Sequence, residues 1–262
     1  MLTYAAFLPH TPLLLPNIGR EGTTKLADTL AAFEKVSAGL RATRPETIVL
    51  FSSHPGQNDV VFSINLSDRY YADLREYGDF TETFRWKPDL LFIDRLQRQA
   101  RKSKLPIKLD SHPGLTHGAA VPLQLLTDDT WALNIVPVSY IGSDPKKHVE
   151  FGRLLKEVCM ETGRRVAVIG TGDLSHALSS DAPAGFHPEG KEFDERVQEA
   201  IRGLSLSTLL GMDPSLVENA HECAYRPLLM LFGVIEQMNL RPTIHSYEAP
   251  FGVGYLVADF TF

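Results

Sequence analysis

The sequence predicts an α/β fold: a single domain with a central, mainly parallel sheet flanked by helices, and a metal site at the C-terminal ends of the strands. Two observations carry the architecture. Short β-rich runs alternate with segments of helical period along most of the chain. Across 262 residues there is no internal repeat, low-complexity linker or break in composition, so one domain over 1–262 is preferred to two small ones.

Thr3–Leu8 (TYAAFL), Thr47–Ser52 (TIVLFS), Ala132–Val138 (ALNIVPV) and Arg165–Gly170 (RVAVIG) read as the four principal strands. Apolar spacings of three and four predict helices over Thr23–Ala42, Leu90–Lys104, Pro145–Thr162, Lys191–Arg202 and Tyr225–Met238. Pro145 suits a first helical turn, which tolerates a missing N–H, and Gly163 suits a left-handed cap at the other end. Val60–Leu66 and the tail Thr243–Phe260 read as further strands, antiparallel at one edge.

Composition removes several function classes. Hydrophobic residues make up 44% and charged residues 22%, which excludes disorder as the main state. With 26 Lys and Arg against 32 Asp and Glu the formal charge is −6, so there is no electrostatic footprint for nucleic acid or an anionic membrane. Two cysteines, Cys159 and Cys223, cannot build a disulfide framework and fit reduced thiols in a cytoplasm. The apolar start lacks a cation before Arg20 and is broken by Pro9, Pro12 and Pro16, unlike a signal peptide. A soluble cytoplasmic protein is expected.

In open α/β sheets, ligands bind beyond the C-terminal ends of the strands. Three of the nine histidines follow such ends: His10 in LPHTP, His54 in SSHP and His176 in GTGDLSH. His117, in GLTHGAAVPL, begins a turn into a helix and can reach the same crevice. Neutral imidazole is a common ligand for Zn, Fe and Cu, and Pro9, Pro12 and Pro55 stiffen the loops. His112, His148, His187 and His245 share no such placement and read as surface, capping or supporting residues. Two imidazoles need a further ligand, and His221-Glu222-Cys223 ahead of the apolar run PLLMLFGVI is the best region. Glu222 would complete a two-His, one-carboxylate set suited to non-haem Fe(II), whereas Cys223 would favour Zn or Cu(I). A carboxylate there could equally cap the helix. There is no H-E-x-x-H, G-x-S-x-G, Walker loop or G-x-G-x-x-G after the first strand.

Taken in order, LPHTP, SSHP, GLTHGAAVPL, GTGDLSHAL, GFHPEGKEFD, ECAYRPL and PFGVGYLVADF resemble the class III extradiol ring-cleavage dioxygenases of the LigB-like catalytic subunit type, and the related Memo-like proteins. The resemblance implies Fe(II) held by His10, His54 and Glu222, acid–base catalysis by His176, and His117 beside substrate and O2. The substrate would be a small aromatic diol or aminophenol, whose ring is opened next to the paired oxygens. Memo-like relatives place a cysteine late in the chain, which points to Cys223 as the alternative third ligand and to a metal- or peptide-binding role without ring cleavage. A Zn-dependent hydrolase is a further alternative. A homo-oligomer is expected, either working alone or with a separate small subunit.

Overall fold

The computed structural model describes residues 1–52, 62–81, 84–128, 130–140 and 144–262. The strands are β1 (Leu2–Leu8), β2 (Thr47–Ser52), β3 (Phe62–Asn65), β4 (Tyr70–Ala72), β5 (Phe84–Pro88), β6 (Ile107–Asp110), β7 (Gly114–Leu115), β8 (Asn134–Ser139), β9 (Val166–Thr171), β10 (Arg241–Glu248) and β11 (Tyr255–Thr261). The helices are α1 (Pro16–Gly19), α2 (Ala27–Thr43), α3 (Leu90–Lys102), α4 (His117–Leu126), α5 (Pro145–Glu161), α6 (Pro188–Gly203), α7 (Leu206–Leu210), α8 (Pro214–Asn219) and α9 (Tyr225–Ile235).

Four parallel strands in the order β1-β9-β2-β8 form the centre, with Ala5 opposite Val168, Val49 opposite Val168, and Val49 opposite Val136. The tail folds back as the β10–β11 hairpin, antiparallel to β1 at the edge, as the sequence predicts. On the other side β3 pairs antiparallel with β8 and parallel with β6, while β4, β5 and β7 extend the sheet in short pieces. The fold is thus the expected α/β layer with a mixed rather than wholly parallel sheet.

The central strands are apolar at almost every position because helices cover both faces. Phe7, Val49, Phe51 and Val168 point into one core, with Phe151 of α5, Leu228 of α9 and Phe193 of α6. Ala6, Leu8, Leu50 and Ile169 point into the other, with Phe33 and Val36 of α2 and Leu123 of α4. Alternation along each strand therefore divides one sheet between two cores. Helices α5 and α9 cross closely at paired glycines: a Cβ on Gly152 would stand 2.1 Å from the Met230 carbonyl oxygen, and one on Gly233 2.4 Å from that of Val149.

Differences from the sequence reading have local causes. The helix expected from Thr23 opens as a 3-10 segment, Arg20–Leu26, and becomes α-helical only at Ala27. There the Glu248 carboxylate accepts from the Thr29 N–H and hydroxyl, at 2.7 and 2.5 Å, and so satisfies the helix start. The helix expected from Lys191 begins earlier, because Pro188 occupies its first position behind His187. Pro145 and Gly163 (φ 69°) do bracket α5, whose start is capped by Asp144 accepting from Lys146 N–H at 2.9 Å. Of the surface, capping and supporting roles open to His148, the surface one is excluded: it is fully buried between the rings of Phe62 and Tyr140, with Nδ1 3.2 Å from the Asp144 carbonyl oxygen. Residues 60 and 61 of the predicted strand Val60–Leu66, and His54, lie outside the described residues.

Candidate active site at the strand ends

His10 stands two residues past the end of β1 and is 2% exposed. Its backbone N–H donates to Asp173 Oδ1 at 2.9 Å, its Nδ1 faces Thr171 Oγ1 at 3.5 Å, and its Nε2 faces Cys223 Sγ at 3.3 Å. Asp173 follows the end of β9, so that strand end holds the His10 backbone through Asp173 and faces its ring through Thr171. Thr171 extends the brace: its hydroxyl lies 2.7 Å from the Gly118 carbonyl oxygen of α4 and 3.1 Å from that of Phe51 in β2.

The Cys223 thiol is placed by the same turn. Its sulfur accepts from Asp173 N–H at 3.1 Å, and Cys223 N–H donates to the Asp173 carbonyl at 3.2 Å. This approach requires glycine beside it. A Cβ on Gly172 would lie 2.6 Å from both the Cys223 carbonyl oxygen and Ala224 Cα. The glycine turn of GTGD thus serves the contact between two loops as well as its own conformation.

Glu222 turns the other way. Its carboxylate accepts from the Tyr225 N–H at the first position of α9, which is the helix-start role open to it from sequence. Burial raises its pKa to about 7, and the Tyr225 N–H works against that rise. Burial likewise raises Asp173 to about 7, opposed by the N–H groups of His10 and Thr11.

His117 completes the cluster. It opens α4, and its ring meets that of His10 edge-on at 5.3 Å between centroids. Its Nδ1 lies 2.9 Å from Tyr77 Oη and 3.3 Å from Glu76 Oε1. Desolvation lowers its pKa, with Glu76 acting in the opposite sense. Tyr77, Glu76 and Thr171 are absent from the sequence reading. Glu76 and Tyr77 lie in the 3-10 turn Arg75–Tyr77, where no periodicity marks them.

His176 hangs from the same chain segment, its N–H donating to the Ala220 carbonyl at 3.0 Å. Its Nδ1 is buried with no hydrogen-bond partner among the described residues, and burial lowers its pKa, opposed by the backbone of Leu174 and of His221. His221 in turn packs on His187, with ring centroids 5.0 Å apart. His245 pairs with Asp259 at 3.1 Å, and the N–H of His112 donates to Asn65 Oδ1.

Of the residues singled out from sequence, the structure therefore brings His10, His117 and Cys223 together, directs Glu222 to α9, and sets His176 beside His221. Among the described residues, no three His, Cys, Asp or Glu side chains form a group that could hold an ion. The two facing donors, imidazole and thiol, fit an ion that accepts nitrogen and sulfur together.

The site thus lies past the strand ends of a parallel-centred α/β sheet, with the rings of His10 and His117 against each other. The chain belongs to the family described as the catalytic LigB subunit of aromatic ring-opening dioxygenase, matched over residues 4–258. It is 25% identical over 257 residues to Protein CA_C1420 of Clostridium acetobutylicum, a match covering 95% of this chain and 55% of that protein. The chain thus spans about half the length of this curated relative. The crystal structure of the uncharacterized protein JW3007 from Escherichia coli K12 shares the fold with a TM-score of 0.69 at 18% identity, covering 99% of this chain and all of that one. Among the described residues, no helix is long and apolar enough to cross a membrane.

Proposed function

We propose that this protein is a metal-binding member of the LigB family that holds a transition ion through imidazole and thiolate. His10 and Cys223 are the ligands, with His54 as the third. One observation carries the reading: Cys223 Sγ stands 3.3 Å from His10 Nε2, while the neighbouring Glu222 carboxylate holds the Tyr225 N–H. A thiolate ligand shifts preference toward Zn, Cu(I) or a thiolate-tolerant Fe(II) site. Asp173 orients both ligands through backbone hydrogen bonds, and His117 closes the side of the site facing Tyr77.

Extradiol ring cleavage of a catechol or aminophenol is the second reading, supported by the family match over 4–258. Bound Fe(II) would there supply the electronic link between the aromatic diol and O2. Glu222 would have to leave Tyr225 to become its carboxylate ligand. His176 would exchange protons with the substrate, and its unpartnered Nδ1 suits that role. His117 would line the substrate side.

Anaerobic purification, metal analysis and oxygen uptake with a panel of catechols separate the two. The first reading expects Cys223→Ser to lose metal and Glu222→Ala to keep it, with no catechol-dependent oxygen uptake. The reverse pattern, with ring cleavage, establishes the second.

A further inference from the structure

Thr171 ends β9 and is fully buried where three other parts of the chain meet it. Its hydroxyl oxygen lies 2.7 Å from the Gly118 carbonyl oxygen of α4, 3.1 Å from the Phe51 carbonyl oxygen of β2 and 3.5 Å from His10 Nδ1. A hydroxyl has one proton to give and two lone pairs to accept with. Both carbonyl oxygens accept only, so the backbone takes that proton.

The helix itself decides which carbonyl has the stronger claim. In an α-helix the Gly118 carbonyl would accept from the N–H four residues on, but that residue is Pro122, inside α4, and proline has no N–H. The Thr171 hydroxyl, at the shorter of its two carbonyl distances, replaces the missing helix donor. Toward His10 it then presents lone pairs alone. His10 is 2% exposed, so solvent offers its ring little alternative. A lone pair on Nδ1 would face the lone pairs of the hydroxyl oxygen, whereas an Nδ1–H is accepted by them.

We propose that Thr171 is a positioning residue that sets the tautomer of His10: its hydroxyl, committed as a donor to the backbone, accepts from His10 Nδ1–H and so leaves the lone pair of the neutral imidazole on Nε2, the atom that faces Cys223 Sγ at 3.3 Å. Asp173 anchors the His10 backbone, and the choice of ring nitrogen falls to Thr171. The other tautomer would put a proton where a metal ligand needs a lone pair. Pro122 and Thr171, on different elements, thereby act together on an atom that neither of them is bonded to. The proposal deepens the metal reading given above and rests on it only for what Nε2 is used for.

Nitrogen-15 NMR of histidine-labelled, metal-free protein tests it directly, with His10→Asn identifying the His10 signals. The protein should hold His10 as the Nδ1–H tautomer by at least about fivefold, the ratio implied by leaving a buried acceptor unmet. Thr171→Val, of the same shape without the hydroxyl, should bring that ratio below about twofold, and Thr171→Ser should restore it. Zinc affinity, read by competition with a chromogenic chelator, should fall ~10–100-fold in Thr171→Val and stay within about threefold in Thr171→Ser. If Thr171→Val does not fold, the tautomer of the unaltered protein and of Thr171→Ser decides alone. His10 protonated on Nε2, a tautomer ratio unchanged in Thr171→Val, or a ratio lost in Thr171→Ser overturns the proposal. A protein that binds no zinc yet loses its Nδ1–H preference in Thr171→Val refutes the metal reading and leaves this one standing.

Discussion

Two pairs involving histidine share a short stretch of chain, one through His221 and the other through Cys223, and differ in almost everything else. His187 and His221 bring their rings to 5.0 Å, but His221 is exposed and adopts a left-handed backbone conformation (φ 50°). His10 and Cys223 meet at 3.3 Å, with Asp173 bonded to the backbone of one and to the sulfur of the other, and with glycine at the point of closest approach. Proximity is common to both pairs. In the second, Asp173 bonds both members and the sulfur faces the imidazole directly, a preorganisation that favours ligand binding.

Breaking the ordered pair should give the largest effect. Cys223→Ser is expected to lower metal affinity by at least the ~10–100-fold that removal of a ligand's supporting partner commonly causes, read by metal competition with a chromogenic chelator. Glu222→Ala should retain the metal and instead lower the melting temperature, because α9 loses an N–H acceptor worth ~0.5–2 kcal/mol. Next comes Gly172→Ala, which leaves every ligand in place but drives a methyl against the Cys223–Ala224 backbone. A destabilisation of ~1–3 kcal/mol in urea melts is expected, together with weakened metal binding.

A smaller effect concerns Asp194 of α6, which accepts from Ser175 N–H at 2.8 Å and Tyr247 Oη at 2.7 Å. Burial raises its pKa to about 7, so the folded state binds a proton that the unfolded chain releases near pH 4. This contribution is fully present below pH 4 and is lost as pH rises through about 7. Asp194→Asn should therefore flatten the fall in stability between those limits, by ~1–3 kcal/mol in denaturant melts at pH 5 and pH 8. The least change is expected from His187→Ala, which should alter stability by no more than ~0.5 kcal/mol and leave metal affinity untouched. A loss of metal in that variant would erase the distinction between the two pairs.

The central strands and long helices were legible because burial on both faces and helical period leave repeating marks. Thr47–Ser52 matches β2 residue for residue, and Pro145 with Gly163 brackets α5. Short β4, β6 and β7 leave no such mark, since their place depends on what they pair with. His148 had no strand-end placement to mark it, and its face of α5 is the one turned to Phe62 and Tyr140. Within the site, His10 and His117 followed from strand ends and a helix start. The choice between Glu222 and Cys223 did not, because the chain leaves regular geometry at His221 and no period tells which side chain turns inward.

The glycine crossing of α5 and α9 has a dynamic consequence. Residues 222 and 223 lead into α9, and α9 meets α5 backbone to backbone at Gly152 and Gly233. Amide hydrogens in α9 should therefore exchange with deuterium only through global unfolding, while those near Tyr77 exchange through local opening. Access to the half-buried thiol must then come by the loops above the sheet, since the helix that follows it is held at that crossing.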